Sequence, residues 1–277
     1  MVFAERSLDE PRGLKVELDR RTRFKTRCRG ESSLVSSNRP GRVPGKASVV
    51  QGGFYKCCRM MVRIFGPKVK APPREAFPEP AVFVCHHHNM RGPITTMAWT
   101  PAPLHPWALA LFFDTKVLLK HFGDFTFHKR FGWPKPLARA AARLISPPVT
   151  LLMRSMRAVP VYRKSIESVK TMRASVDILA RGEPIVIYPD IEYDSDDTRL
   201  GEMYRGFLLL ERFYRERTGK HLPFVPLYYD QKGKLLRLGE PLLFPDGDMR
   251  EHMDGMYVKI RDAVNALASG NIWMKPL

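Results

Sequence analysis

Apolar residues in this chain fall into short runs set between prolines, glycines and charged residues, and the runs alternate between two periods. Val82-Phe83-Val84-Cys85 is continuous, partly β-branched and preceded by the breakers Pro72, Pro73, Pro78 and Pro80, which predicts a buried strand over 81–85. The same reasoning predicts strands over 107–112, 159–162, 184–188, 222–229, 235–238 and 241–244. Between them, Val169, Met172, Val176 and Leu179 recur at helical spacing, with Ser165 able to cap the helix and Gly182 to close it. Further helices are expected over 93–98, led by Pro93 with Gly92 allowing the tight turn before it, over 202–217 up to Gly219, and over 249–268. Strands alternating with helices of this length predict an α/β fold: a largely parallel sheet with helices on both faces.

Two stretches mix apolar residues with cations. Over 54–69, Tyr55, Met61, Val62, Ile64 and Phe65 alternate with Lys56, Arg59, Arg63 and Lys68. A cationic amphipathic helix of this kind either lies on an anionic bilayer or packs on the domain. Over 135–156 the composition is helical but interrupted at Pro147-Pro148, and Lys135, Arg139, Arg143, Arg154 and Arg157 share it with Leu, Ile and Met. These cations either meet lipid headgroups or snorkel around an ordinary core.

Residues 1–52 show no such periodicity and are rich in Arg, Ser, Gly and Pro. They are expected to be a disordered basic extension, dispensable for folding, with one domain over 53–277. The net charge of +18 and pI near 10.0 ask for an anionic partner. Nucleic acid is not expected, since the chain has no recognisable binding motif and no helix with a continuous basic face. The four cysteines, Cys28, Cys57, Cys58 and Cys85, form no C-x-x-C pair, which fits a reducing cytosol rather than a zinc ribbon or disulfide framework. There is no signal-peptide core and no apolar run near the roughly 18 residues of a membrane span. Any membrane contact is therefore expected to be peripheral, on the cytoplasmic face.

Candidate chemistry concentrates in His86-His87-His88-Asn89-Met90-Arg91-Gly92-Pro93, at the carboxyl end of the first strand and beside a helix N-terminus, where open α/β sheets bind ligands. Neutral imidazole near pH 7 suits removal of a hydroxyl proton. Three consecutive histidines on an extended chain cannot all reach one metal ion, and side chains on such a chain alternate, so His86 and His88 should face away from His87. Two other strands end in polar groups: 159–162 leads into Arg163, and 184–188 into Pro189-Asp190-Ile191-Glu192-Tyr193-Asp194-Ser195-Asp196-Asp197.

These blocks, in this order, resemble the glycerolipid acyltransferase family typified by 1-acylglycerol-3-phosphate acyltransferases, over about residues 54–268. His86-His87 stands for the family's N-H-x-x-x-x-D, with Gly92 where the aspartate would be. Ala158-Val159-Pro160-Val161-Tyr162-Arg163 stands for its strand ending in Arg. Tyr188-Pro189-Asp190-Ile191-Glu192-Tyr193 stands for F-P-E-G-T-R, and Val225-Pro226-Leu227 for V-P-V, with Gly239-Glu240-Pro241 downstream. A bacterial subgroup with His-x-Asn-x-x-Gly-Pro and Pro-Asp-x-(Asp/Glu)-Tyr looks closer still.

The resemblance implies transfer of a fatty acyl group from acyl-CoA or acyl carrier protein to the hydroxyl of a lysophospholipid or related glycerolipid at an anionic membrane surface. No cofactor beyond the thioester donor is implied. His87 aligns with the family's catalytic histidine. Asp190, Glu192 and Asp194 are the candidates for the missing carboxylate, with Asp114 a second possibility and a backbone carbonyl the other acceptor open to the His87 ring, while Asp194, Asp196 and Asp197 also read as a solvated acidic loop. Arg163 matches the phosphate-contacting arginine, though an ion pair with the acidic loop would also account for it. Asn89, Arg91, Gly92 and Tyr193 are candidate substrate contacts; Asn89 would serve equally as a helix cap, and Arg205 is a weaker candidate. The alternative, favoured by Gly92, is a lipid-binding member of the same fold that no longer catalyses.

Overall fold

The computed structural model describes residues 51–162, 167–192 and 195–270. Most of the basic extension, and with it Arg163, Ser165, Tyr193 and Asp194, lies outside the described residues.

Helix α1 (Gly53–Phe65) leads into strand β1 (Val82–Cys85), α2 (Arg91–Trp99), β2 (His105–Leu109) and α3 (Thr115–Lys120). A π-helical stretch, His121–Arg130, joins α3 to α4 (Lys135–Ser155), and β3 (Val159–Val161), α5 (Ser168–Ala180) and β4 (Ile185–Ile187) follow. After them come α6 (Leu210–Thr218), β5 (Phe224–Asp230), β6 (Leu235–Leu238) and α7 (Met249–Ala268). The six strands lie in the order β3-β2-β4-β1-β5-β6; all neighbours are parallel except the β5-β6 hairpin.

Strand β1 is flanked by β4 and β5, and all four of its residues are fully buried, as a continuous apolar run in a parallel sheet requires. Its side chains alternate between two cores. Val82 and Val84 pack with residues of α5, α6 and α7, whereas Phe83 and Cys85 pack with Tyr55 of α1, Met97 of α2 and Met156 beyond α4. The chain leaves β1 toward β2 on one side and leaves β4 toward β5 on the other. Adjacent strands with opposite exits open a crevice at their carboxyl ends.

The strand expected over 107–112 is shifted, since β2 starts at His105 and ends at Leu109, where Ala110–Phe113 form a 3-10 turn. Three further elements differ from expectation for identifiable reasons. Helix α4 runs unbroken through Pro147 and Pro148. Both rings are exposed, and the carbonyls deprived of a donor, four residues earlier at Arg143 and Leu144, belong to exposed residues as well, so water can replace the lost bonds. The helix expected from residue 202 starts later, as a 3-10 turn at Arg205–Leu209 before α6. Residues 202–204 are instead tied to the end of β4 through Ile191 N to Glu202 O (3.1 Å) and Tyr204 N to Pro189 O (2.8 Å). Of the run expected as a strand over 241–244, only a bridge from Leu242 to Phe224 forms.

Helix α1 is packed inside out. Two of its cations reach back to the protein while Lys56 stays exposed: Arg59 donates to Ala98 O (2.9 Å) and Thr100 O (2.7 Å), and Arg63 to Ala98 O (2.7 Å). Those carbonyls close α2, where cations are favoured by the helix dipole. Tyr55 is buried beside them with its hydroxyl on Met97 O (2.6 Å), and Met60, Met61, Ile64 and Phe65 are left exposed.

Candidate functional site

Strand β1 ends at Cys85, and the chain then turns sharply. His88, Asn89 and Met90 all adopt left-handed backbone, with φ of 42°, 47° and 67°. None is glycine, and each such residue costs on the order of 1–3 kcal/mol, a strain found mostly where function holds it in place. The turn drives the start of α2 back against the histidines. Gly92 lies so close that a Cβ there would stand 2.0 Å from His86 O and 3.0 Å from His87 O. The position aligned with the family's aspartate therefore has no room for any side chain.

The carboxylate arrives from the neighbouring strand. Asp190, three residues past β4, accepts from the Nδ1 of His86 through Oδ1 and from the His87 backbone N–H through Oδ2 at 2.9 Å. Both His86 and Asp190 are buried. The Nε2 of His86 lies 2.8 Å from the backbone carbonyl of Asp197. Burial opposes charge on His86, but the hydrogen bond and negative charge of Asp190, aided by the Asp197 carbonyl, outweigh it and hold the ring's pKa above the usual histidine value. The acceptor expected on the His87 ring thus sits on His86, one residue earlier.

The alternation of the three rings follows from their spacing. His86 and His88 stack, with centroids 5.4 Å apart and planes within 6°, whereas His87 meets Tyr188 edge-on at 6.0 Å. His87 is partly exposed, and its Nδ1 accepts from the Met90 N–H at 3.2 Å, which puts its proton on Nε2 in the neutral ring. His88 is buried; burial first, then the charges of His86 and Arg91, push its pKa down. Its Nε2 faces Arg91 Nη1 at 3.4 Å, and its Nδ1 has no hydrogen-bond partner among the described residues.

The other expected residues divide. Arg91 pairs with Asp196 at 3.1 Å, and Asn89 donates to the same Asp196 oxygen at 3.2 Å, so both are in the site and Asn89 does not cap α2. Glu192 is exposed at the rim. Asp114 instead caps α3, accepting from Lys116 N (2.8 Å) and Val117 N (3.2 Å). Arg205 pairs with Asp254 on α7 and covers the Tyr257 ring. Sequence reasoning missed the acidic loop, where Asp196 and Asp197 are exposed yet reach Arg91, Asn89 and His86; a loop carbonyl leaves no mark in the sequence. Among the described residues no group of His, Cys, Asp and Glu is arranged to hold a metal ion.

The structure thus defines an α/β protein with a buried imidazole–carboxylate pair at the crevice between β1 and β4. No protein-family model matches the chain, and no curated protein matches it. Among solved structures it is similar to the 1-acyl-sn-glycerophosphate (LPA) acyltransferase PlsC from Thermotoga maritima, with a TM-score of 0.46 and 15% identity over 80% of each chain. A likeness at that level carries no argument about chemistry.

Replacing Gly92 by Ala should move the backbone of β1 or α2 and destabilise the fold by about 1–3 kcal/mol, read as a drop of several degrees in thermal midpoint. A variant that melts with the wild type would refute the close approach. Ring-proton NMR should find His86 titrating above, and His88 below, the ordinary histidine value near 6.5. His86 binds its proton more tightly folded than unfolded. Its contribution to stability is therefore complete below about pH 6.5 and fades as pH rises through the raised value.

Proposed function

We propose that the protein transfers an acyl group from a thioester to the hydroxyl of a glycerolipid, with His86 and Asp190 as the base and its orienting carboxylate. One observation carries this reading. The histidine block and the Tyr188-Pro189-Asp190 block, which the sequence resemblance assigns to an active site, meet in space as an imidazole–carboxylate pair at the carboxyl ends of two adjacent parallel strands. Asp190 on Nδ1 leaves Nε2 as the atom that takes the hydroxyl proton while the oxygen attacks the thioester carbonyl. The C–S bond then breaks, and the departing thiolate recovers the proton from the imidazolium. A hydroxyl would have to displace the Asp197 carbonyl from His86 Nε2 or the Met90 amide from His87 Nδ1, so it is the Asp190 carboxylate on its ring that favours His86 over the alternative base, His87. Asn89 and Arg91 beside the pair suit an anionic headgroup, a role also proposed for Arg163 and Tyr193.

The membrane part of the reading rests on the inverted α1. It exposes Met60, Met61, Ile64 and Phe65, and α4, which packs on α1, exposes Leu137, Leu144 and Leu151 at seven-residue intervals. Phe125, Phe131 and Trp133 add aromatic surface around the π-helical stretch. Among the described residues no helix is long and apolar enough to cross a membrane. These side chains suit shallow insertion, with the surrounding cations on anionic headgroups.

His86→Ala and Asp190→Asn should each lower acyl transfer to a lysolipid, monitored as thiol release, by 10³-fold or more on the order seen in related triads. His87→Ala should cost far less. The reverse order of effects would move the base to His87, and an inactive wild type on a full lysolipid panel would leave the non-catalytic lipid binder as the reading. In the active protein the acid limb of kcat/KM should have its midpoint above pH 6.5, because His86 must lose a proton that its surroundings hold. Liposome pelleting should depend on anionic lipid and weaken with salt, and Ile64→Glu with Phe65→Glu should abolish it. Unchanged pelleting would remove α1 from the contact.

A further inference from the structure

The acidic loop touches the site at two adjacent residues, each in a different chemical role. Asp196 offers a carboxylate oxygen to Arg91 Nη1 (3.1 Å) and Asn89 Nδ2 (3.2 Å). Asp197 offers a backbone carbonyl to His86 Nε2 (2.8 Å). An anion on a guanidinium and a side-chain amide, next to an oxygen on a base, is the pattern that a hydroxyl compound with a nearby phosphate would present. His88, buried between the His86 ring and Arg91, keeps an Nδ1 with no partner among the described residues.

We propose that Asp196 and Asp197 are a built-in occupant of an anion subsite formed by Asn89 and Arg91, and that a phosphate-bearing ligand displaces them. The Asp196 carboxylate holds the place of the ligand's phosphate, and the Asp197 carbonyl that of its hydroxyl oxygen. The assignment of that hydroxyl rests on His86 being the base of the proposed reaction; the anion subsite does not.

The loop is built for limited release. Behind the two residues the chain is anchored: Tyr228 OH donates to Thr198 O (3.0 Å), and Asn265 on α7 holds Leu200 through both its N–H (2.8 Å) and its carbonyl (3.0 Å). In front, the Arg91–Asp196 pair is half exposed, with 44% and 67% of the two side chains accessible, so it is weak and open to competition from a more highly charged phosphate. Withdrawal of the Asp197 carbonyl has two effects on His86. It uncovers Nε2, and it removes one of the acceptors that keep the ring charged. Ligand entry would therefore both expose the base and ease the proton off it.

The test is a calorimetric titration of the full chain with two probes, inorganic phosphate and a monomeric short-chain lysophosphatidate. The wild type, Asp196→Asn, Asp196→Ala, Arg91→Ala and the Arg91→Ala/Asp196→Ala double variant are compared. Removing an internal competitor as weak as an exposed ion pair should tighten phosphate about two- to five-fold in both Asp196 variants. Arg91→Ala should lose the binding, and the double variant should regain none of it. Tightening confined to lysophosphatidate identifies a lipid headgroup as the ligand, and equal tightening for both probes identifies phosphate itself. Asp196 variants that titrate like the wild type, or no binding of either probe to any protein, overturn the proposal. Because the titration needs no turnover, tightening in a protein that moves no acyl group supports the subsite and counts against the proposed reaction. Acyl transfer in a protein whose Asp196 variants titrate unchanged does the opposite.

Discussion

The site depends on one carboxylate shared between two strands. Asp190 reaches from the end of β4 to β1, where one oxygen takes the His86 ring and the other the His87 backbone N–H. Two acceptor bonds on consecutive residues fix both the position and the direction of the chain leaving β1. With its ring held by Asp190 and the Asp197 carbonyl, His86 cannot turn, and the stacked His88 is held in register with it. Burying such a pair is a poor way to gain stability, because desolvation consumes most of the attraction. Removing one partner is a different matter, since it strands the other charge inside the protein at about 3–5 kcal/mol. The pair therefore dictates geometry more than it adds to the strength of the fold.

The left-handed turn that follows exists because α2 must begin against the histidine carbonyls. Gly92 permits that approach, and the N–H groups of Arg91 and Gly92 close on His88 O (3.0 Å) and His87 O (3.1 Å). A carboxylate at position 92 and this close packing are mutually exclusive. A chain built this way has to bring its imidazole partner from another strand, and Asp190, at the end of the strand hydrogen-bonded to β1, is well placed to supply it. The glycine and the relocated carboxylate are two consequences of one backbone path.

Much of the architecture was legible in the sequence because it rests on runs of apolar side chains. Val82 to Cys85, Ile185 to Ile187 and Phe224 to Tyr229 are buried strands whatever surrounds them, and α7 occupies the range its periodicity predicts. What could not be read depends on contacts between distant segments. That Asp190 meets the ring of His86 rather than that of His87 follows from the register of β1 on β4, which no local pattern encodes. The late start of α6 comes from pairing of residues 202–204 with 189–191, a long-range bond that overrides helical composition. The unbroken α4 shows the converse: the rule that proline interrupts a helix holds most strongly where the orphaned carbonyls are buried, and here they belong to exposed residues.

Helix α1 carries the same lesson to the surface. Its alternation of cations and apolar residues is satisfied by either face turned inward, and hydrophobic burial alone would choose the apolar one. The α2 carbonyls of Ala98 and Thr100 reverse that choice, since they offer Arg59 and Arg63 charge-assisted bonds at the negative end of a helix, and Trp99 lies beneath the Arg63 guanidinium at 5.4 Å. The apolar stripe is then exposed as a consequence of satisfied hydrogen bonds rather than of poor packing. Because the helix that presents the stripe is fastened to the C-terminal end of α2, and the N-terminal end of α2 carries Arg91 into the histidine site, the outward apolar face and the site are joined through one nine-residue helix.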